Sequence, residues 1–133
     1  MDITTITKLE KYITDEINDA YIYEELSKYA PSEDARNTLL DLSVDQKNNA
    51  MMFLSIYRDE LLRDFKPQIQ PITATPETYF DLIKKQTLKE IADYRQFEKE
   101  YLQENSNSRL KEAYYNTRTG SNVLALSLLY LLQ

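Results

Sequence analysis

Two glutamates stand where helical spacing calls for apolar side chains. Glu16 falls in the series Leu9, Ile13, Glu16, Ala20, Tyr23, whose steps of four and three residues trace one face of a helix. Glu90 falls in the series Ile83, Glu90, Tyr94, Phe97, Tyr101 in the same way. Two further stripes carry neutral polar residues: Gln46 and Asn49 among Leu39, Leu42, Phe53 and Ile56, and Thr119 and Asn122 among Tyr115, Leu126 and Leu129. The spacing predicts that four helices each turn one or two polar side chains toward a shared centre. A carboxylate in such a place must be paired, protonated or bound to a cation. The chain has no histidine and no cysteine. That excludes Ser-His-Asp and thiol catalysis, imidazole and thiolate metal sites, iron–sulfur clusters and disulfides. Chemistry here rests on carboxylates, tyrosines, a lysine or an oxygen-ligated ion.

The rest of the composition narrows the setting. At 133 residues the expectation is one domain spanning residues 1–133, large enough to bury a core without cross-links. The net charge of −6, with no Lys/Arg cluster, argues against nonspecific binding to nucleic acid or an anionic membrane. The start, MDITTITKLEKY, lacks the basic and apolar regions of a secretory signal. The most apolar run, Val123 to Leu132, is about half the length needed to cross a bilayer. A cytoplasmic protein is the expectation.

The elements that must position the polar residues are four helices. With one glycine (Gly120) and four prolines (Pro31, Pro67, Pro71, Pro76), little interrupts them. The first is expected from Ile3 to Tyr29, ending before Pro31. Ser32 caps the second, with Glu33 and Asp34 in its first turn, and the helix continues to Phe65. Lys66 to Thr75 holds two of the prolines and reads as an extended connection. Thr75-Pro76-Glu77 starts the third helix, which runs to Glu104. Asn105 to Ser108 is a turn, Ser106 or Ser108 caps the fourth helix, and that helix runs to the last residues. The halves echo each other. A shift of 74 residues matches Glu16 with Glu90, Asp19 with Asp93 and Tyr23 with Phe97; a shift of 73 matches Asn49 with Asn122 and Tyr57 with Tyr130.

On these residues the chain resembles the ferritin-like superfamily, in its rubrerythrin-like branch, over roughly Leu9 to Leu131. The motifs are Asp15-Glu16 with Tyr23, and the run Ser43-Val44-Asp45-Gln46-Lys47-Asn48-Asn49-Ala50. The resemblance implies an all-α, ferritin-like antiparallel four-helix bundle with a long connection between the second and third helices. It also implies a site for two metals, built from one Glu on each of two helices and a Glu-x-x-His on each of the others. Here Gln46 and Asn49 stand at one Glu-x-x-His pair and Thr119 and Asn122 at the other, so only Glu16 and Glu90 keep their type. Amides and a threonine are weak ligands for transition metals. No metal or other cofactor is therefore expected, and the six residues read as a vestigial site joined by hydrogen bonds. Lys47 and Arg118 neighbour the substituted positions, but their spacing points them away from it.

Three functions follow from this reading. The first is a non-catalytic binding or structural protein that kept the fold and lost the metals. The alternative is a divergent di-metal oxidoreductase, acting on peroxide or metal ions, that holds iron or manganese through Glu16 and Glu90 with Asp19, Asp45 or Asp93 recruited. A third is an apolar or organic ligand site at the bundle centre; storage of iron as a mineral is the least supported. The eleven tyrosines read as core and rim residues. The nearly all-apolar end of the last helix must be covered on more than one side. It either docks within its own bundle or, through Val123, Leu126, Leu129 and Tyr130, against a second copy in a homodimer.

Overall fold

The computed structural model describes residues 1–133. It is all helical: α1 (Ile3–Ser27), α2 (Glu33–Leu61), α3 (Tyr79–Gln103) and α4 (Ser108–Leu131). Each start has a local cause. Asp2 accepts from Thr5 N at 2.8 Å, Ser32 accepts from Ala35 N at 3.1 Å, and Asn107 accepts from Leu110 N at 2.9 Å. These contacts satisfy amides that a helix cannot pair within itself. The cap of α4 is thus Asn107, and neither Ser106 nor Ser108. Ser106 is engaged elsewhere, its N and Oγ both donating to Glu104 Oε2 at 3.1 Å.

Three other boundaries differ from the sequence reading. α1 ends at Ser27, two residues before Tyr29. α2 stops at Leu61 because Leu62 turns into the left-handed region (φ 54°, ψ 35°), where its N still donates to Arg58 O at 2.9 Å. Arg58 then pairs with Asp64, whose Oδ1 also accepts from Phe65 N, and this fixes the departing chain. Thr75-Pro76-Glu77 forms a single turn ahead of α3. The Thr75 N donates to Thr78 Oγ1 at 2.9 Å while Thr78 N donates to Thr75 Oγ1 at 3.3 Å, and regular helix begins at Tyr79.

Helices α1 and α2 pack together, as do α3 and α4, and the pairs meet through α2 with α4 and α1 with α3. Two apolar clusters fill the interior. One joins Leu9, Tyr12 and Ile13 near the start of α1 to Phe53, Ile56 and Tyr57 late in α2, Phe97 late in α3 and Leu110 and Tyr114 early in α4. The other joins Tyr23 and Leu26 to Leu39, Leu42, Tyr79, Ile83, Leu124 and Leu128. The connection from α2 to α3 travels between them, for Phe65 packs on the first cluster and Ala74 belongs to the second. Asn18 of α1 pins it midway, donating to Gln68 O at 3.0 Å and accepting from Gln70 N at 2.7 Å. Beside the first cluster, the buried Tyr12 hydroxyl donates to Glu100 Oε2 at 2.9 Å, and Lys8 reaches Glu100 Oε1 at 3.0 Å. No helix is long and apolar enough to cross a membrane.

Candidate functional site

Between the two apolar clusters lies a layer of buried polar groups. α1 supplies Glu16, Asp19 and Tyr23 to it, α2 supplies Gln46, and α3 supplies Gln86 and Glu90, all of them buried. Glu16 and Asp19, like Glu90 and Asp93, are three residues apart, which places each pair on one helix face. The Tyr23 hydroxyl and Gln46 Nε2 both donate to Glu90 Oε1 at 2.9 Å. Asn49, partly buried, donates to Gln46 Oε1 at 3.1 Å and so steadies that amide. Gln86 Nε2 donates to Asp19 Oδ1 at 3.3 Å. Lys89 bridges the two aspartates, with Nζ 2.6 Å from Asp19 Oδ2 and 2.8 Å from Asp93 Oδ2.

Not every oxygen in the layer is satisfied. Glu16 Oε2 and Glu90 Oε2 are buried without a hydrogen-bond partner. Oxygen atoms of Asp19, Glu90 and Asp93 lie within 4.8 Å of one another. So much negative charge in so little water favours protonation. Burial, reinforced by the charges of Glu90, Asp19 and Asp93, holds the Glu16 carboxyl well above the usual range. Burial, with the charges of Asp19 and Asp93, pushes Glu90 up to about 8. Asp19 is raised by burial to about 6, against the opposing pull of the Lys89 ammonium. Burial alone would lower Lys89, but Asp19 and Asp93 outweigh it and hold the ammonium above its ordinary value.

Of the six residues singled out by spacing, Glu16, Gln46 and Glu90 are buried in this layer and Asn49 borders it. Thr119 and Asn122 are exposed, and the Thr119 hydroxyl bonds back to Tyr115 O of its own helix at 3.1 Å. α4 instead turns Thr117, Ser121, Leu124 and Leu128 inward. The rotation follows from its buried anchors Leu110, Ala113 and Tyr114, which continue on the face of Thr117 and Ser121. Asp45 is exposed and stays outside the layer. Lys47 and Arg118 point away as expected, pairing with Glu24 and Glu98.

Spacing gives Gln86 and Lys89 no place in the site, and admits Asp19 and Asp93 only as recruits of the di-metal alternative. The signal for the two aspartates was the shift of 74 residues, which repeats a Glu-x-x-Asp pair at Glu16 and Glu90. Two divalent metals held by all four helices do not fit these side chains. α4 turns no carboxylate inward, only the Thr117 and Ser121 hydroxyls, and α2 sends an amide that donates to Glu90. Compared with protein-family models, curated proteins and solved structures, the chain matches none.

Proposed function

We propose that the chain is a ferritin-like, rubrerythrin-like antiparallel bundle that has lost its di-iron site and serves as a non-catalytic binding or structural protein of the cytoplasm. The observation that carries this reading is the rotation of α4, which leaves Thr119 and Asn122 in solvent and the centre without a carboxylate from that helix. The placement of the helix ends supports the bundle type. The start of α1 shares a cluster with the ends of α2 and α3 and the start of α4, so the chain must cross the length of the bundle between α2 and α3. A single long crossover of this kind is what the ferritin-like arrangement requires. Protein from cells grown with added iron and manganese, dialysed against chelator, is expected to retain no metal pair. Two metals per chain would sink the reading.

The alternative, a divergent di-metal oxidoreductase of peroxide or metal ions working through Glu16 and Glu90, draws its support from Asp19 and Asp93 beside Glu90. Anaerobic ferrous loading followed by oxygen separates the two readings. An oxo-bridge absorption band favours the oxidoreductase.

The binding surface in this proposal is α4, and its occupant is a second copy of the chain. Val123 (53% exposed), Leu126 (60%), Leu129 (42%) and Tyr130 (76%) face solvent on the final turns. No charged residue follows Arg118 in the sequence, while the whole chain carries −6. Two copies therefore avoid like-charge repulsion when these turns meet, and the contact satisfies an apolar patch. Sedimentation velocity is expected to show a dimer for the unaltered chain and a monomer for Leu126→Lys. A monomer at every concentration, before any substitution, removes this part of the proposal.

A further inference from the structure

We propose that Asp19, Glu90 and Asp93, with Glu16 beside them, form a site for one hard divalent cation, and that the Lys89 ammonium is its built-in competitor. This rests on the non-catalytic reading above, because it asks for a single exchangeable cation and no oxidative chemistry. It differs from a two-metal centre in its source: every ligand comes from the repeated Glu-x-x-Asp pairs of α1 and α3, and none from α2 or α4.

The spacing admits one ion. Oxygens of the three acids lie within 4.8 Å of one another. Oxygens on opposite sides of a magnesium, manganese or calcium ion stand about 4–5 Å apart, given metal–oxygen lengths of about 2.0–2.6 Å. A second, independent feature points the same way. Glu90 Oε2 is buried without a partner, although Oε1 of the same carboxyl takes both the Tyr23 and Gln46 hydrogen bonds. Glu16 Oε2 is likewise buried and unpartnered, and Glu90 is the foremost charge acting on it. Leaving a buried carboxylate oxygen unbonded is costly, and a cation is the partner that serves several such oxygens at once.

A cation already sits at the outer edge. Lys89 reaches Asp19 and Asp93 but makes no bond to Glu90 or Glu16. Its side chain is one-third exposed and lines a surface cleft of about 290 Å³ with Gln70 and Ile72 of the connection and Gln86 of α3. The ammonium can swing into that cleft as an ion takes its place between the aspartates. Gln86 continues to hold Asp19 Oδ1, and Tyr23 and Gln46 continue to hold Glu90 Oε1, so the acids stay oriented through the exchange. The donors are all oxygen, which selects Mn²⁺, Mg²⁺ or Ca²⁺ over softer ions.

The test is a titration of the full chain, near neutral pH, with Mn²⁺ alone, followed by electron paramagnetic resonance and calorimetry. The unaltered chain is expected to bind one Mn²⁺ that Mg²⁺ or Ca²⁺ displaces. Lys89→Met, which keeps much of the stem and removes the charge, is expected to bind roughly tenfold tighter or more. Glu90→Gln is expected to lose most of the affinity at unchanged helix content. No saturable Mn²⁺ binding by the unaltered chain overturns the proposal whatever the variants do. So does binding that Glu90→Gln leaves intact, because the ion is then elsewhere. Should Lys89→Met fail to fold, the comparison of the unaltered chain with Glu90→Gln still decides. A tightly held metal pair that reacts with oxygen would overturn the non-catalytic reading instead, so the two failures are distinguishable.

Discussion

Phe53→Ala is expected to cost about 3–5 kcal/mol and to lower the thermal midpoint by roughly 10–20 °C. Phe53 is fully buried and belongs to a cluster that takes at least one aromatic ring from each helix. Its ring centroid lies 6.0 Å from Tyr12 of α1, 5.9 Å from Phe97 of α3 and 5.9 Å from Tyr114 of α4. Alanine removes all three contacts and leaves a cavity that four helices cannot close without disturbing Tyr12, whose hydroxyl is committed to Glu100. Leu88, largely exposed on α3, is the control. Leu88→Ala removes an aliphatic side chain of similar helix propensity and is expected to change stability by less than about 0.5 kcal/mol. Thermal unfolding followed by circular dichroism compares them, and equal shifts would mean that the rings do not hold the bundle together.

The same cluster shows which parts of the structure the residue pattern could specify. Leu9, Ile13, Ile83 and Phe97 were assigned inward by spacing and are buried, because α1 and α3 carry polar residues on their other faces and so have one readable rotation. α4 has no such contrast. From Val123 to Leu132 nearly every residue is apolar, so several rotations satisfy the same periodicity. Leu126 and Leu129, which spacing offers both to the inward stripe and to a dimer contact, are exposed, and Thr119 and Asn122 of the same stripe are exposed with them. What sets the rotation is the packing of Leu110, Ala113 and Tyr114 early in the helix, which is a tertiary fact. The candidate site divides in the same manner. Glu16 and Glu90 were legible because an acid on an apolar stripe stands out. Asp19 and Asp93 lie on the margin of those stripes, where an acid looks like ordinary surface. Only the presence of α1 against α3, with Lys89 reaching across from one to the other, buries Asp19 and draws the partly exposed Asp93 to the edge of the layer.

That crowding of acids sets the pH dependence, and the raised Glu16 and Glu90 carboxyls both carry it. In chelator-treated protein, stability is expected to fall as pH rises from about 5 to about 8. The sign follows from the raised carboxyls. Glu90 moves from an ordinary 4.5 up to about 8, and Asp19 from 3.8 up to about 6, so the folded chain keeps protons that the unfolded chain has released. The stabilisation is complete below the unfolded values and is lost as pH climbs through the folded ones, at about 1.4 kcal/mol per pH unit for each such group. Lys89, also raised, acts only above its ordinary value of 10.5 and does not enter this window. Glu90→Gln should therefore flatten the slope by about 1.4 kcal/mol per unit and leave the variant more stable than the parent near pH 8 by ~2 kcal/mol or more. Urea unfolding at several pH values measures both, and a slope that the substitution leaves unchanged would rule out Glu90 as the titrating group. Glutamine is the apt replacement because it copies the neutral acid. Its carbonyl oxygen can still accept from Tyr23 and Gln46, while its amide places two donors where Glu90 Oε2 now has no partner.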